Sequence, residues 1–529
     1  MRLPGVPPLR PQSLVVAAAA DLSPYTGPWT RKQSAHLIRR IGFGAIKREV
    51  DGALNDGSAG KAVDRLLNTA AADPNPEPPA WYTRSGSTGI EQVYEVQRMW
   101  IDAMRQKGLI ERMTLFWHNH LVTEYAGIQQ RANNSIGHLM YGYYSLLRKH
   151  ALGNFKTFIR EISLNPAMLI YLDGFVNEKG HANENYGREL LELFTMGQYD
   201  TDGSLNYTEA DIKEVARALT GWVVTSDNRA SFILTRHDRG SKSFFGRTGA
   251  FDFYDVIDIL FETRGLQIAR YLSRKLYVFF LQAVPDEGIV EALAQEMLNQ
   301  DFEIKPVLKV LLSSAHFYDD GFIGARVKSP LDFIIGFLRE AEVIPTQALL
   351  EYIREALTPA QLGQELLNPP NVAGWPGLNP PDAGNSPGHY AWLTTTTLPQ
   401  RWNLLANIIL GSAGANYDPI EWVLKVSDPS DPFRLAPDLA QILIPTPLDV
   451  TGIRKVEEPF GGNPNVPPPP DVLNGPAYLR DLSKILLDGF PYYEWPFITD
   501  VDSEGVGDAR NLLIEYLAYL VQLPAYQLT

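Results

Sequence analysis

The sequence contains no cysteine. Disulfides, zinc–thiolate sites, iron–sulfur clusters and cysteine nucleophiles are therefore excluded. The compartment stays open, because a cysteine-free chain is at home in oxidising and reducing surroundings alike. Basic residues are in the minority: 47 Lys and Arg against 61 Asp and Glu give a formal net charge of −14. That balance argues against non-specific binding to nucleic acid. No apolar run approaches the ~18 residues that a membrane-spanning helix needs. His-Glu-x-x-His, Gly-x-Ser-x-Gly and phosphate-loop patterns are also missing, so the familiar hydrolase and nucleotide readings lack their residues. What is present is a 529-residue chain with 45% apolar and 20% charged residues, the composition of a soluble globular protein.

Apolar positions recur at three and four residues over most of the length, which predicts a mainly α fold. The expected architecture is a large multi-helix globular domain with a small β-hairpin and long Pro/Gly-rich loops. Residues 30–72 read as two helices broken at Gly42-Phe43-Gly44, and 90–171 as a helical stretch. Further helices are expected at 252–263, 265–282, 286–300, 304–316, 329–343, 398–411 and 507–522. Residues 222–235 alternate and are β-branched, as a hairpin requires. Six prolines and four glycines exclude regular structure from 368–390. Residues 460–472 form a Pro-rich, semi-rigid segment. Three parts follow: an arm or weak signal-like segment at 1–28, a helical core at 29–415, and a C-terminal extension at 416–529 whose last helix packs on the core. Arg2, Arg10 and the apolar run 14–20 resemble a secretory signal, though four prolines precede the run.

One segment has the spacing of an EF-hand calcium loop. Gln198, Asp200, Asp202, Ser204, Asn206 and Glu209 stand at positions 1, 3, 5, 7, 9 and 12, with Gly203 at position 6. Gln198 replaces the usual aspartate, and Gly197 would end the preceding helix just before the loop. The plain alternative is an acidic turn followed by a helix capped by Thr208 and Asp211. A second acidic turn, Asp500-Val501-Asp502-Ser503-Glu504-Gly505, reads as an ordinary turn.

The helix expected at 184–196 carries Asn185, Arg188, Glu189 and Glu192 within an arc of about 100°. These residues form either a solvated edge with an Arg188–Glu192 pair or a buried site in which Arg188 orients two carboxylates for acid–base or metal chemistry. Candidate imidazoles are His118 and His120, in Phe116-Trp117-His118-Asn119-His120, and His237, followed by Asp238. Helical geometry would point His118 and His120 apart; a strand or turn would let both reach one transition-metal ion.

Several ordered motifs resemble the bacterial domain-of-unknown-function 1800 family. They are Glu184-Asn-Tyr-Gly-Arg-Glu-Leu-Leu-Glu-Leu-Phe-Thr-Met-Gly197, Tyr207 to Trp222, His237-Asp-Arg-Gly-Ser-Lys242, Phe116 to His120, Lys328-Ser-Pro330, Pro369 to Gly377, and the ending Leu520 to Leu528. The resemblance covers about residues 29–528. It implies a helical, bacterial and often exported protein, encoded beside a second exported family that looks like sulfatases and phosphatases. It carries no settled activity. The 198–206 loop is longer than the family's usual connection. The family pattern also joins His118, His120, Asn185, Arg188, Glu189, Glu192, His237, Asp238 and Asn371 on otherwise apolar elements, so they form either a structural network or an active site.

Two functions fit these residues. One is a metal-assisted hydrolase acting on an envelope or extracellular polymer, with His118, His120, Arg188, Glu189, Glu192, His237 and Asp238 as catalytic candidates, of which His118 or His120, Glu189, Glu192 and His237 line one open pocket. The other is a non-catalytic surface or assembly protein, stabilised by calcium, with a closed polar network and an exposed apolar or oligomer interface.

Overall fold

A computed structural model of the chain describes residues 22–84, 86–132, 134–381, 387–495 and 506–529. The signal-like run at 14–20 and the acidic turn at 500–505 lie outside the described residues. The fold is mainly α, as expected; two small antiparallel two-stranded sheets are the only sheets among the described residues. Strand β1 (Trp222–Val224) pairs with β2 (Ala230–Phe232), and β3 (Lys242–Phe244) with β4 (Arg247–Gly249).

Helix Leu109–His120 is the axle of the molecule, because all twelve of its residues are buried. A helix buried on every face must give each polar side chain an internal partner. Glu111 accepts from Arg148 Nε at 2.6 Å, Arg112 pairs with Asp332, and Thr114 donates back to the Ile110 carbonyl at 2.8 Å. Asn119 accepts the Trp375 N–H at 2.7 Å and donates to Asn379 at 3.0 Å. The irregular 368–379 segment is thereby held on the axle. Gly374 permits this approach: its φ is +85° and a Cβ there would lie 2.5 Å from the Asn119 carbonyl oxygen.

Local signals set the neighbouring helices. Ser329 caps helix Pro330–Glu340, with Pro330 in the first turn and Asp332 closing the capping box. Asp252 and Asp255 do the same for helix Phe253–Phe280. That helix spans the two expected at 252–263 and 265–282; Arg264, at φ −127°, marks a kink between them. Helix Val506–Gln522 packs against helices Thr397–Ile409, Pro419–Val426 and Ala477–Leu487. Arg39, on helix Arg31–Ile41, donates to the Ile442 carbonyl at 2.5 Å, joining the two ends of the described chain.

Candidate functional site

The helix carrying the polar stripe changes character part-way. Glu184–Glu189 is α-helical and Leu190–Met196 is a π-helix. Thr195 Oγ1 supports the wider turn by donating to the carbonyls of Leu190 at 2.7 Å and Leu191 at 3.2 Å. Gly197 ends it at φ +73°, where a Cβ would lie 3.0 Å from the Tyr271 ring. Single π turns recur at functional sites, which directs attention to what surrounds this one.

The last carbonyls of such a helix lack intrahelical partners. Side chains from distant segments supply them. His120 Nε2 donates to the Phe194 carbonyl at 2.9 Å, and the Tyr271 hydroxyl donates to Leu193 at 3.2 Å. Asn206 Nδ2 donates to Met196 at 2.9 Å and Gly197 at 3.1 Å. A residue expected as a catalytic imidazole and one expected as a calcium ligand are thus capping groups. The remaining nitrogen of His120, Nδ1, is buried and meets no partner among the described residues.

The stripe itself divides. Arg188 turns to the surface and forks onto both Glu209 oxygens at 2.9 and 2.7 Å, instead of pairing with Glu192. Glu192 accepts the Tyr207 hydroxyl. Glu189 is half-buried, and no donor reaches its carboxylate among the described residues. Burial, and then the Glu192 charge, hold its carboxyl above the ordinary range. Tyr271 also feels Glu192 and Glu189, and its ring centroid lies 6.1 Å from that of His120. One turn on, burial pushes Lys275 down to about 8, and its charge acts on His120. Tyr171 hydrogen-bonds Glu124 at 2.7 Å and senses the Glu189 charge. The structure therefore brings Glu189, Glu192 and His120 into one neighbourhood with Tyr171, Tyr207, Tyr271 and Lys275.

The other expected residues lie apart from it. His118 Nε2 accepts the Leu367 N–H at 2.9 Å, so Nδ1 carries the proton and donates to Tyr143, also at 2.9 Å. Both nitrogens are used, and burial lowers the pKa to about 3. His118 and His120 point to different partners because the segment is helical. His237 donates to the Thr220 carbonyl at 2.9 Å beneath Phe232. Asp238 is held by Arg217 Nε at 2.8 Å and by the Gly240 N–H at 2.8 Å, which lower its pKa. Of the expected pocket, His120, Glu189 and Glu192 come together, while His237 is tied to Thr220 elsewhere. Five surface cavities of 510, 480, 250, 670 and 440 Å³ are lined by other residues.

The 198–209 segment is a small hairpin, with Tyr199 bridged to Leu205. Asp200 pairs with Arg270 at 3.1 Å, and Asp202 accepts the Ser204 N–H at 2.8 Å. Glu209 is drawn to Arg188, and the next helix starts only at Glu209, behind the Thr208–Asp211 capping box. Gln198 and Ser204 contribute backbone contacts, to Asn206 at 3.0 Å and Asp200 at 2.9 Å. These residues do not fit an EF-hand ion: the two end carboxylates face opposite cations, and Asn206 is occupied. Among the described residues no three His, Asp or Glu gather to hold a metal.

Comparison with protein families matches residues 36–528 to the family described as "Protein of unknown function (DUF1800)". The chain belongs to this family. No curated protein and no solved structure matches it. No helix among the described residues is long and apolar enough to cross a membrane. The family's motifs can now be placed: Phe116–His120 grips the 369–377 segment through Asn119 and Trp375, and the Glu184–Gly197 motif is capped by His120.

Proposed function

We propose that this chain is a non-catalytic surface or assembly protein whose contact face is the β1–β2 hairpin. One observation carries the reading. Phe232, Ile233 and Leu234 are 40%, 38% and 57% exposed in succession, and Tyr254 (48%) joins them through the Trp222 ring. Val176 (49% exposed) precedes Asn177, whose carbonyl accepts the Gly221 N–H next to β1. Grouped exposed apolar side chains mark contact surfaces. Histidines that bind backbone groups, together with the paired loop acids, support a framework role for the family motifs. Placement outside the cytoplasm belongs to the same proposal, supported by the basic and apolar pattern of residues 2–20. A photo-crosslinking residue at position 234 should trap a protein in the native cell, either a second copy or the co-encoded sulfatase/phosphatase-like protein. The same residue at exposed Ser204 should not. Equal trapping at both positions, or none at 234, overturns the reading.

A second reading rests on Glu189. A half-buried carboxyl with a raised pKa beside Glu192, Tyr271 and Lys275 is a composition suited to acid–base hydrolysis. It calls for no metal. Hydrolysis of an ester, glycoside or phosphoester by the wild type, abolished in Glu189→Gln, would favour it; equal rates would remove it.

A further inference from the structure

A second polar cluster lies deep in the molecule, away from the π turn, and it is built from cations. Arg40, Arg112 and Arg326 are 1%, 2% and 4% exposed. They come from three separate segments: helix Arg31–Ile41, helix Leu109–His120 and the extended stretch before Ser329. The guanidiniums of Arg112 and Arg326 lie over one ring, Phe279, at 4.6 and 5.9 Å from its centroid. Arg326 and Arg112 both act electrostatically on Arg40.

Negative charge does not match this set. Asp332 takes Arg112 and the Ser329 N–H. Glu340, the other buried acid nearby, is engaged by Arg39 at 3.5 Å and by the Ala45 N–H at 2.9 Å. Among the described residues Arg40 and Arg326 form no ion pair. Arg40 Nη2 donates to the Phe322 carbonyl, but Arg40 Nε and Nη1, Arg112 Nε and Arg326 Nη1 are buried without a hydrogen-bond partner.

Such an arrangement is costly as it stands. A charge buried without a partner strongly opposes folding. Arginine does not escape by losing its proton near neutral pH. Burial lowers Arg326 only to about 10. The charge must be met from outside the described residues, and planar guanidinium forks suit tetrahedral oxyanions.

We propose that Arg40, Arg112 and Arg326 enclose a small tetrahedral oxyanion of the phosphate or sulfate class, which completes the buried cluster. Helix capping and the Arg112–Asp332 pair preorganise the donors, and enclosure selects an ion over a larger phosphorylated molecule. Because the segment also pairs backbone to backbone with Thr529, at 2.8 and 3.4 Å, Arg326→Met keeps its place in the fold.

The test uses the full chain, desalted into chloride and then denatured. Ion chromatography should recover phosphate or sulfate in proportion to protein from the wild type, and much less from Arg326→Met. Inorganic phosphate and sulfate, added at constant ionic strength, should raise the melting temperature of any anion-depleted protein more than chloride does. Arg326→Met should lose that response, whereas Arg274→Met, on the surface, should keep it. No recovered oxyanion together with equal responses to phosphate, sulfate and chloride in the wild type overturns the proposal, whether or not the variant folds. A phosphate or sulfate response undiminished in a folded Arg326→Met overturns it as well.

Discussion

Replacing Gly374 with alanine should destabilise the protein well beyond the ordinary cost of filling a left-handed glycine. Two terms add. The left-handed backbone itself costs an L-residue about 1–2 kcal/mol. The added methyl would also press on Asn119 Oδ1 and lie 2.5 Å from the Asn119 carbonyl oxygen, which is main chain of the buried axle. Forced overpacking of this kind costs about 1–3 kcal/mol. The sum is about 2–5 kcal/mol, a large part of a typical stability of about 5–15 kcal/mol. Gly363 provides the reference: its φ is +73° and nothing lies within 4 Å of the place a methyl would take, so Gly363→Ala carries the backbone term alone. Urea unfolding followed by tryptophan fluorescence would compare the two variants at equal slopes, where midpoint differences report stability. Gly374→Ala should unfold at clearly lower urea than Gly363→Ala. Coincident midpoints would refute the tight contact between the 369–377 motif and the axle.

Acid should weaken the fold through its buried imidazoles. His118 falls to about 3 and His389 to about 4, while His36 and His120 are also lowered, all chiefly by burial. Their folded values lie below the ordinary 6.5, so their stabilising effect is present above 6.5 and is lost as pH falls toward the folded values. Each imidazole contributes up to about 1.4 kcal/mol per pH unit in that window, and melting curves should show the decline. A melting temperature unchanged down to pH 4.5 would contradict the buried, neutral assignment. Glu189 has the opposite sense: its carboxyl is raised above 4.5, so stability is full below that value and is lost as pH rises through the folded value. Glu189→Gln should therefore melt higher than wild type near neutral pH and equally below pH 4; a lower melting temperature at neutral pH would mean the carboxylate has a partner. Calcium should leave the melting temperature unchanged, because Asp200 and Glu209 already face Arg270 and Arg188. A calcium-dependent rise that disappears in Asp202→Ala would restore the EF-hand reading.

Much of the helical fold was legible because periodicity and caps are local. The Thr208–Asp211 box, the break at Gly42–Gly44 and the β1–β2 hairpin all stand where the residues put them. The break between Asn55 and Ala59 is marked by Asp56-Gly57-Ser58, and it divides the second expected helix of 30–72. Hairpin β3–β4 is as short as β1–β2, but its strands hold one β-branched residue, Thr248, against the Val223–Val224 pair of β1, so composition did not mark it. The π turn was not legible at all: it depends on Thr195 bonding backward and on caps from Asn206 in the following loop and from His120 and Tyr271, both remote in sequence. Tyr171, Tyr207, Tyr271 and Lys275 were missed for the same reason. No local sign marked Lys275, which shares its helix with Arg264, Arg270 and Arg274. Polarity drew attention to His118 and His237, but polarity alone does not separate a ligand from a side chain that ties two backbones together.

The axle has a kinetic consequence. Its partners sit far along the chain: Asn119 waits for Trp375 and Arg112 for Asp332. Loop closure over hundreds of residues must precede any of these rewards, which slows acquisition of the native topology. During synthesis the newly made first third therefore holds charged and imidazole groups in a segment too apolar to remain in water. That interval is when chaperone binding or misassociation would compete, and lowering the growth temperature during expression should raise the folded yield.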